Sequence, residues 1–450
     1  MADLRASVER VLPSVRADLE DLIRIRSVSA DPAATDHVRA SAEAVAELAR
    51  GAGAAEVEIL AVDGGAPAVV ARWPAPDGTP TVLLYAHHDV QPTGVVDEWT
   101  SDPFEPTERD GRLYGRGVSD DKAGVLAHIA ALRAYDGEPP VGVTMFVEGE
   151  EEIGSPTFVD FLRTYRDKLA ADVIVVADSG NWTTETPALT TSLRGLADCT
   201  VEVRVLDHAV HSGGFGGPVI DALTSLCRLL ATLHDEIGDV AVPGLVRKEA
   251  AEVDYPESRY RADAGVLDAV ELVGSGTLAD RLWAKPALSV LALDTTRIAD
   301  AANVLIPAAS AKVSLRLAPG QDPRAALDAL TEHLRANAEF GAQVTVTDGS
   351  VGPPCELDTG NPAHEAAHAT LAEAFGEPAV EIGQGGSIPF IADFAREFPE
   401  APVLVTGMGD PDCRAHGIDE SLHLGMFAKI CLAETLLLER LARQGGPATP

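Results

Sequence analysis

Short apolar runs rich in β-branched residues recur through the first part of the chain: PAVVAR at 67–72, TVLLYA at 81–86, VGVTMFV at 141–147 and VIVVA at 173–177, with helical stretches such as 122–134 between them. Strands that are apolar on both faces must be covered on both faces, so this alternation predicts an α/β layered domain with buried, largely parallel strands. Ahead of them, Val8, Leu12, Val15, Leu19, Leu22 and Ile23 stand at three- and four-residue spacing, the pattern of an amphipathic helix. Ser155-Pro156 reads as the start of the helix FVDFLRTYRDKL, serine as its cap and proline in its first turn.

From about residue 195 the texture changes. A strand with alternating polar residues (CTVEVRV), a helix near 218–235, strands at 288–293 and 310–317, a helix opened by Asp322-Pro323 and the strand AQVTVTD follow in order. That order suits a small α+β, ferredoxin-like domain with helices on one face of an antiparallel sheet. After residue 357 the helical patterns return, with a buried strand in APVLVTG. A chain of 450 residues exceeds what one core usually organises. The prediction is a mostly parallel-sheet catalytic domain built from residues 1–194 and 357–450, with a smaller α+β domain, 195–356, inserted into it.

Composition narrows the function. With 35 basic against 70 acidic residues the net charge is −35, which phosphate backbones and anionic membranes repel. Neither nucleic acid nor membrane is an expected partner. The charged fraction is only 23% and apolar runs occur throughout, so the chain folds. Cys199, Cys227, Cys355, Cys413 and Cys431 are scattered and form no C-x-x-C pair, which reads as reduced thiols in a cytosol. Charges interrupt the amino-terminal apolar residues, and no uninterrupted apolar run of about 18 residues occurs, so a soluble cytoplasmic protein is expected.

The chemistry lies where the buried runs end. TVLLYA leads into His87-His88-Asp89, VGVTMFVEG into Glu150, Glu151 and Glu152, and VIVVA into Asp178. Asp120 lies in the turn GRGVSDDKAG before a helix, and His416 follows APVLVTG. Open α/β sheets place ligand sites at the carboxyl ends of their strands, so these groups can converge on one crevice. Each alone has a plain structural alternative: a polar strand end for His87, a helix cap for Asp120, a solvated turn for the glutamates, a loop cap for Asp178. Together they form a charge cluster too costly to bury without something positive among them, and a metal pair satisfies that. Imidazole with carboxylate suits zinc, and also manganese or cobalt. His88 is expected to point away, because successive strand residues face opposite ways. His37, His128, His234, His333, His364, His368 and His423 sit in helical patterns without a carboxylate cluster at ligand spacing, and are read as surface or core residues.

The segments YAHHDVQP, LYGRGVSDDKAG, EGEEEIGS, VVADSGNW, HSGGFGG, AKVSLRLAPG, GQGGSIP and AHGIDE occur in an order that resembles the dinuclear zinc metallopeptidase family of carnosinase-like dipeptidases, acetylornithine deacetylase and glutamate carboxypeptidase. The resemblance covers nearly the whole chain. It implies two divalent metal ions per subunit, by default zinc, with His87 and Asp178 on one, Glu152 and His416 on the other, and Asp120 bridging both. Asp89 would orient His87, and Glu151 would be the general base. A cis peptide commonly follows the bridging aspartate in this family. The inserted domain would act as lid and dimerisation domain of a homodimer. His211 would reach the neighbouring subunit's site to stabilise the oxyanion, and Asn303 would be a substrate contact contributed by the same neighbour. Arg316 and Ser387 would hold the substrate's terminal carboxylate. HSGGFGG and GGSIP look more like the dipeptidase branch than the deacylase branch. A metal-dependent dipeptidase acting on small peptides is therefore expected first, and an N-acyl-amino-acid deacylase of acetylornithine deacetylase or succinyl-diaminopimelate desuccinylase type second.

Overall fold

Strands apolar on both faces need a layer on each side, and the predicted runs meet that requirement in one six-stranded sheet of the computed structural model, which describes residues 3–250, 253–386 and 389–445. The strand order is Glu56–Leu60, Ala68–Trp73, Gly142–Glu148, Thr81–His87, Val173–Val176, Val403–Val405. The last four run parallel, and the first two join antiparallel at one edge. The period of two sorts their side chains. Val82, Leu84, Ala86, Val143, Met145 and Val147 share a core with the helices Leu4–Ile23, Lys122–Ala134 and Leu424–Gln444. Tyr85 and Phe146 turn instead to an aromatic group with Phe158, Phe161, Phe390 and Phe394. His87 and His88 likewise part: the Nε2 of His87 meets Asp120, while that of His88 lies 2.9 Å from the Pro67 carbonyl.

The helix expected from Ser155-Pro156 starts later, at Phe158, and stops at Thr164, with Arg166–Leu169 as a separate turn. The hydroxyls near its start are committed elsewhere. Ser155 takes φ 48° and donates to Glu148 Oε1 at 2.6 Å, while Thr157 donates its N–H and hydroxyl to Glu150 Oε1 at 2.8 and 2.6 Å. A cap was legitimate from residue type alone, but the adjacent glutamates outcompete the helix for it.

The second compact unit comprises Ser192–Glu356 with Gly383–Ser387, and the first comprises Met1–Thr191, Leu357–Ile382 and Ile388–Pro450. The second thus starts three residues before position 195 and takes in a segment that the sequence assigned to the catalytic part. Its antiparallel sheet has the order Ala287–Asp294, Ala308–Leu317, Gly195–Arg204, Gln343–Gly352. Alternate residues Cys199, Val201 and Val203, and Ala311, Val313 and Leu315, pack with Leu226, Leu229, Leu327 and Leu330 of the helices Ala222–Ala231 and Pro323–Ala336. The second helix is capped by Asp322, which accepts the Ala325 N–H at 2.7 Å, with proline next in line.

Phe394 is 0% exposed, its ring 5.1 Å from Phe158 and 5.3 Å from Tyr85. Phe394→Ala is expected to lower the stability of the first unit by about 3–5 kcal/mol, read from the denaturant midpoint. A loss below about 1 kcal/mol would mean that the aromatic face closes over the gap.

Candidate metal centre

The carboxyl ends of the parallel strands bring the expected groups together within the first unit. His87 ends Thr81–His87, and its Nε2 lies 3.0 Å from Asp120 Oδ1 and 4.0 Å from Asp178 Oδ1. The other oxygen of Asp120 lies 2.9 Å from His416 Nε2, which in turn is 3.3 Å from Glu152 Oε2. Glu151 has a carboxylate oxygen within 4.8 Å of ligand atoms of both His87 and Asp178. One carboxylate, Asp120, therefore faces two imidazoles, one with each oxygen.

Backbone geometry holds these groups in place. Asp89 lies behind His87, its carbonyl 3.1 Å and its Oδ1 3.4 Å from Nδ1, and its two carboxylate oxygens accept the N–H groups of Glu151 and Glu152 at 3.2 and 3.1 Å. Both sides of the centre are thereby tied to one side chain. The Asp120–Asp121 peptide is cis, and Asp121 Oδ2 accepts the His87 N–H at 3.2 Å. Gly124 lets the following helix approach, since a Cβ there would lie 2.1 Å from Asp121 Oδ1. His416 sits at φ 62° in a loop where Arg414 and Asp419 are also at positive φ.

Two residues that support the centre, and a buried arginine of the second unit, escaped the sequence reading. Glu420, at 0% exposure, accepts from the backbone N–H groups of Gly117, Ser119 and Asp120 at 2.8, 2.9 and 3.2 Å and pairs with Arg116 at 2.7 Å. Gln91 donates its N–H to Glu152 Oε1 at 3.0 Å and its amide to Oε2 at 2.8 Å. Both stand inside recognised segments, YAHHDVQP and AHGIDE, so position was available as a signal although role was not. The arginine of the second unit is Arg194.

Electrostatics shows what the cluster needs. Burial pushes Asp178 up to about 7, with Asp120 and Glu152 adding to the rise against His87. Glu151 is raised well above the usual range by burial and then by Asp178. Burial would raise Asp120 too, but the bonds from His416 and His87 hold it well below the usual carboxylate range. His416 is carried up to about 10 by its bonds to Asp120 and Glu152. Four carboxylates this close repel one another, and that repulsion adds to burial in raising Asp178 and Glu151. A divalent cation among them removes the repulsion, and imidazole with carboxylate is a ligand set that zinc, manganese and cobalt accept. The donor set fits the metal that the sequence resemblance implies.

The remaining expected residues lie in the second unit. His211 is exposed and pairs with Val304 across a two-residue ladder, its Nδ1 accepting the N–H groups of Gly213 and Gly214 at 3.1 and 3.2 Å. Asn303 is exposed beside it, its carbonyl accepting the Ser212 N–H at 2.9 Å. Arg316, on Ala308–Leu317, is close enough to Arg194 to help lower it to about 10, after the larger effect of burial. Arg194 is 8% exposed and its Nε has no hydrogen-bond partner. Ser387 lies outside the described residues.

The chain matches the model of peptidase family M20/M25/M40 over residues 83–440. It is similar to the cysteinylglycine-S-conjugate dipeptidase of Corynebacterium striatum, 37% identical over 366 residues that cover 80% of each chain. It is also similar to the Beta-Ala-His dipeptidase of Rattus norvegicus, 30% identical over 369 residues that cover 76% of this chain and 73% of that one. The crystal structure of human carnosine dipeptidase 1 shares the fold, with a TM-score of 0.78 at 24% identity and 98% of each chain covered.

Gln91→Ala removes one of the two donors that hold Glu152, leaving the backbone one. Outer-shell losses typically cost about 10- to 100-fold in metal affinity, so retention against a chelator should fall about 10-fold while the unfolding temperature of the metal-free protein stays put. Unchanged retention would make Gln91 a packing residue only.

Proposed function

This chain belongs to peptidase family M20/M25/M40, and on that premise we propose that it is a metal-dependent dipeptidase hydrolysing the peptide bond of small peptides. The observation that carries the reading is Asp120 with one oxygen toward His87 and the other toward His416. That arrangement supports two divalent ions, zinc by default with manganese or cobalt as competitors: His87 and Asp178 on one, Glu152 and His416 on the other, Asp120 shared. When bound, such ions supply Lewis acidity that polarises the substrate carbonyl and makes water acidic near neutral pH.

The chain's own residues do the rest. Glu151 takes a proton from the attacking water at its carboxylate, the water oxygen bonds to the carbonyl carbon, and the same proton goes to the amine nitrogen as the carbon–nitrogen bond breaks. Asp89 fixes the orientation of His87 through Nδ1. His211 donates to the developing oxyanion. Its Nδ1 accepts two backbone N–H groups, so the neutral ring carries its proton on Nε2, the nitrogen free to donate. Arg316 and Ser387 hold the terminal carboxylate, and the nearby buried Arg194 adds to the positive potential there.

The inserted unit serves as lid and as the interface of a homodimer, in which His211 and Asn303 act in the site of the other subunit. Its edge strand Ala287–Asp294 supports this, because Val290, Leu291 and Leu293 are 43%, 61% and 50% exposed on an unpaired sheet edge, the surface that pairing with a second copy covers. The enzyme works in the cytoplasm, which suits five free cysteines. Among the described residues no helix is long and apolar enough to cross a membrane.

A substrate panel tests the activity. With zinc, manganese or cobalt, the protein should hydrolyse Cys-Gly, Ala-Gly or β-alanyl-histidine in preference to acetylornithine and succinyl-diaminopimelate. Turnover of the acylated amino acids alone would overturn the dipeptidase reading in favour of the deacylase. Glu151→Gln should cut turnover by about 100- to 10,000-fold with metal content unchanged, whereas Glu152→Gln should lose metal. The reverse pattern would swap the two roles.

His211→Ala should lose about 100- to 1000-fold in turnover while binding metal normally. Mixed with Glu151→Gln under subunit exchange, half the dimers become mixed, and each has one complete site if His211 acts in trans. Roughly a quarter of parental activity should return in a symmetric dimer. No recovery, with exchange verified by tagged subunits, would put His211 to work within its own chain.

A further inference from the structure

A second cluster of metal-ligating side chains lies in the first unit and shares no residue with the centre described above. Asn361 caps the helix Pro362–Phe375 by accepting the His364 N–H at 3.0 Å, and Pro362 occupies the first turn. The four-residue spacing that follows puts His364 and His368 on one helical face, where their rings meet edge to face with centroids 4.8 Å apart. After the helix closes at Gly376, the strand Val380–Gln384 returns alongside and presents Glu381. One of its oxygens, Oε1, lies 3.1 Å from His364 Nε2 and 3.4 Å from His368 Nε2. The sequence reading found no carboxylate cluster at ligand spacing for these histidines, and the structure brings a single carboxylate to them. The carboxylate arrives from a strand, not at helical spacing.

Geometry and chemistry both fit a cation. An ion with bonds of about 2.0–2.2 Å in tetrahedral array spaces its ligand atoms about 3.3–3.6 Å apart; the His368 separation of 3.4 Å falls inside that range and the His364 separation of 3.1 Å just below it, a gap that small side-chain shifts close. All three ligand atoms lie within 4.8 Å of one another. Two histidines four apart on a helix, with a glutamate, form a ligand set that zinc takes with water in the fourth position. Access suits this too, since the side chains of His364, His368 and Glu381 are 8%, 30% and 35% exposed, one anchored and two open to solvent. An open hollow lined by His364, Glu365, His368, Ala369, Ala372, Pro378 and Ala379 adjoins the two rings.

We propose that His364, His368 and Glu381 form a separate site for a divalent transition-metal ion of the zinc class, which clips the helix Pro362–Phe375 to the strand Val380–Gln384. The test is zinc stoichiometry of the full-length protein, loaded with zinc, passed through gel filtration and measured by elemental analysis. His368→Ala should carry one zinc fewer per chain than the parent, and Glu381→Gln, which keeps the side-chain shape, should do the same. Whatever turnover the parent shows should persist in both variants, since none of these residues belongs to the catalytic set. The difference between parent and variant does not depend on how many ions the catalytic centre holds. Its failure is therefore separable from failure of the dipeptidase reading. Equal zinc in parent and Glu381→Gln would overturn the proposal and leave a hydrogen-bonded cluster, whether or not His368→Ala folds.

Discussion

Much of the first unit serves to keep one carboxylate, Asp120, at a point where it faces two imidazoles from distant parts of the chain. A side chain in a loop cannot be held so closely by its own rotamer preference, and the work falls to Glu420. That buried carboxylate gathers three backbone donors of the loop, those of Gly117, Ser119 and Asp120, and a buried arginine, so displacing Asp120 would mean breaking several charge-assisted bonds at once. The loop in turn fixes Asp121, which accepts the His87 N–H. One loop thereby positions both a central carboxylate and the backbone of its first imidazole partner.

The parallel sheet explains why charge can be gathered here. Its strands end together at their carboxyl edges, and the side chains beneath the edge are apolar, so any group at the edge is desolvated from below. Desolvation raises carboxyl pKa values, and Glu148, one layer beneath, is pushed up to about 8 by burial even though Ser155 and Tyr85 donate to it. A carboxyl that retains its proton adds no charge to the cluster above. Burial thus raises both the edge carboxyl of Asp178 and the one against the aromatic face.

The readable parts of this protein were those set by short periodicities. Strand runs, the two helix-sheet layers, the cap at Asp322 and the convergence of five strand-end groups all follow from spacing and from the rule that buried polar groups need partners. The unreadable parts depend on partners from far along the chain. Glu420 reaches the Asp120 loop across 300 residues, and Glu381 reaches His368 across 13 that include a helix end. Ser155 shows the opposite failure: the local signal for a cap was sound, and a neighbouring glutamate seven residues back took the hydroxyl. The resemblance to a known family supplied roles that no spacing could, above all the division of labour between Glu151 and Glu152.

The turn HSGG around His211 has a physical reason of its own. A neutral histidine whose Nδ1 accepts hydrogen bonds carries its proton on Nε2, and here the N–H groups of Gly213 and Gly214 bond to Nδ1. Those two donors converge only if the chain folds tightly back over the ring. A Cβ at position 213 would lie 3.0 Å from Cε1 and 3.3 Å from Nδ1 of that ring, so a side chain there would make the imidazole give by a few tenths of an ångström. The same two bonds give an exposed ring a defined orientation.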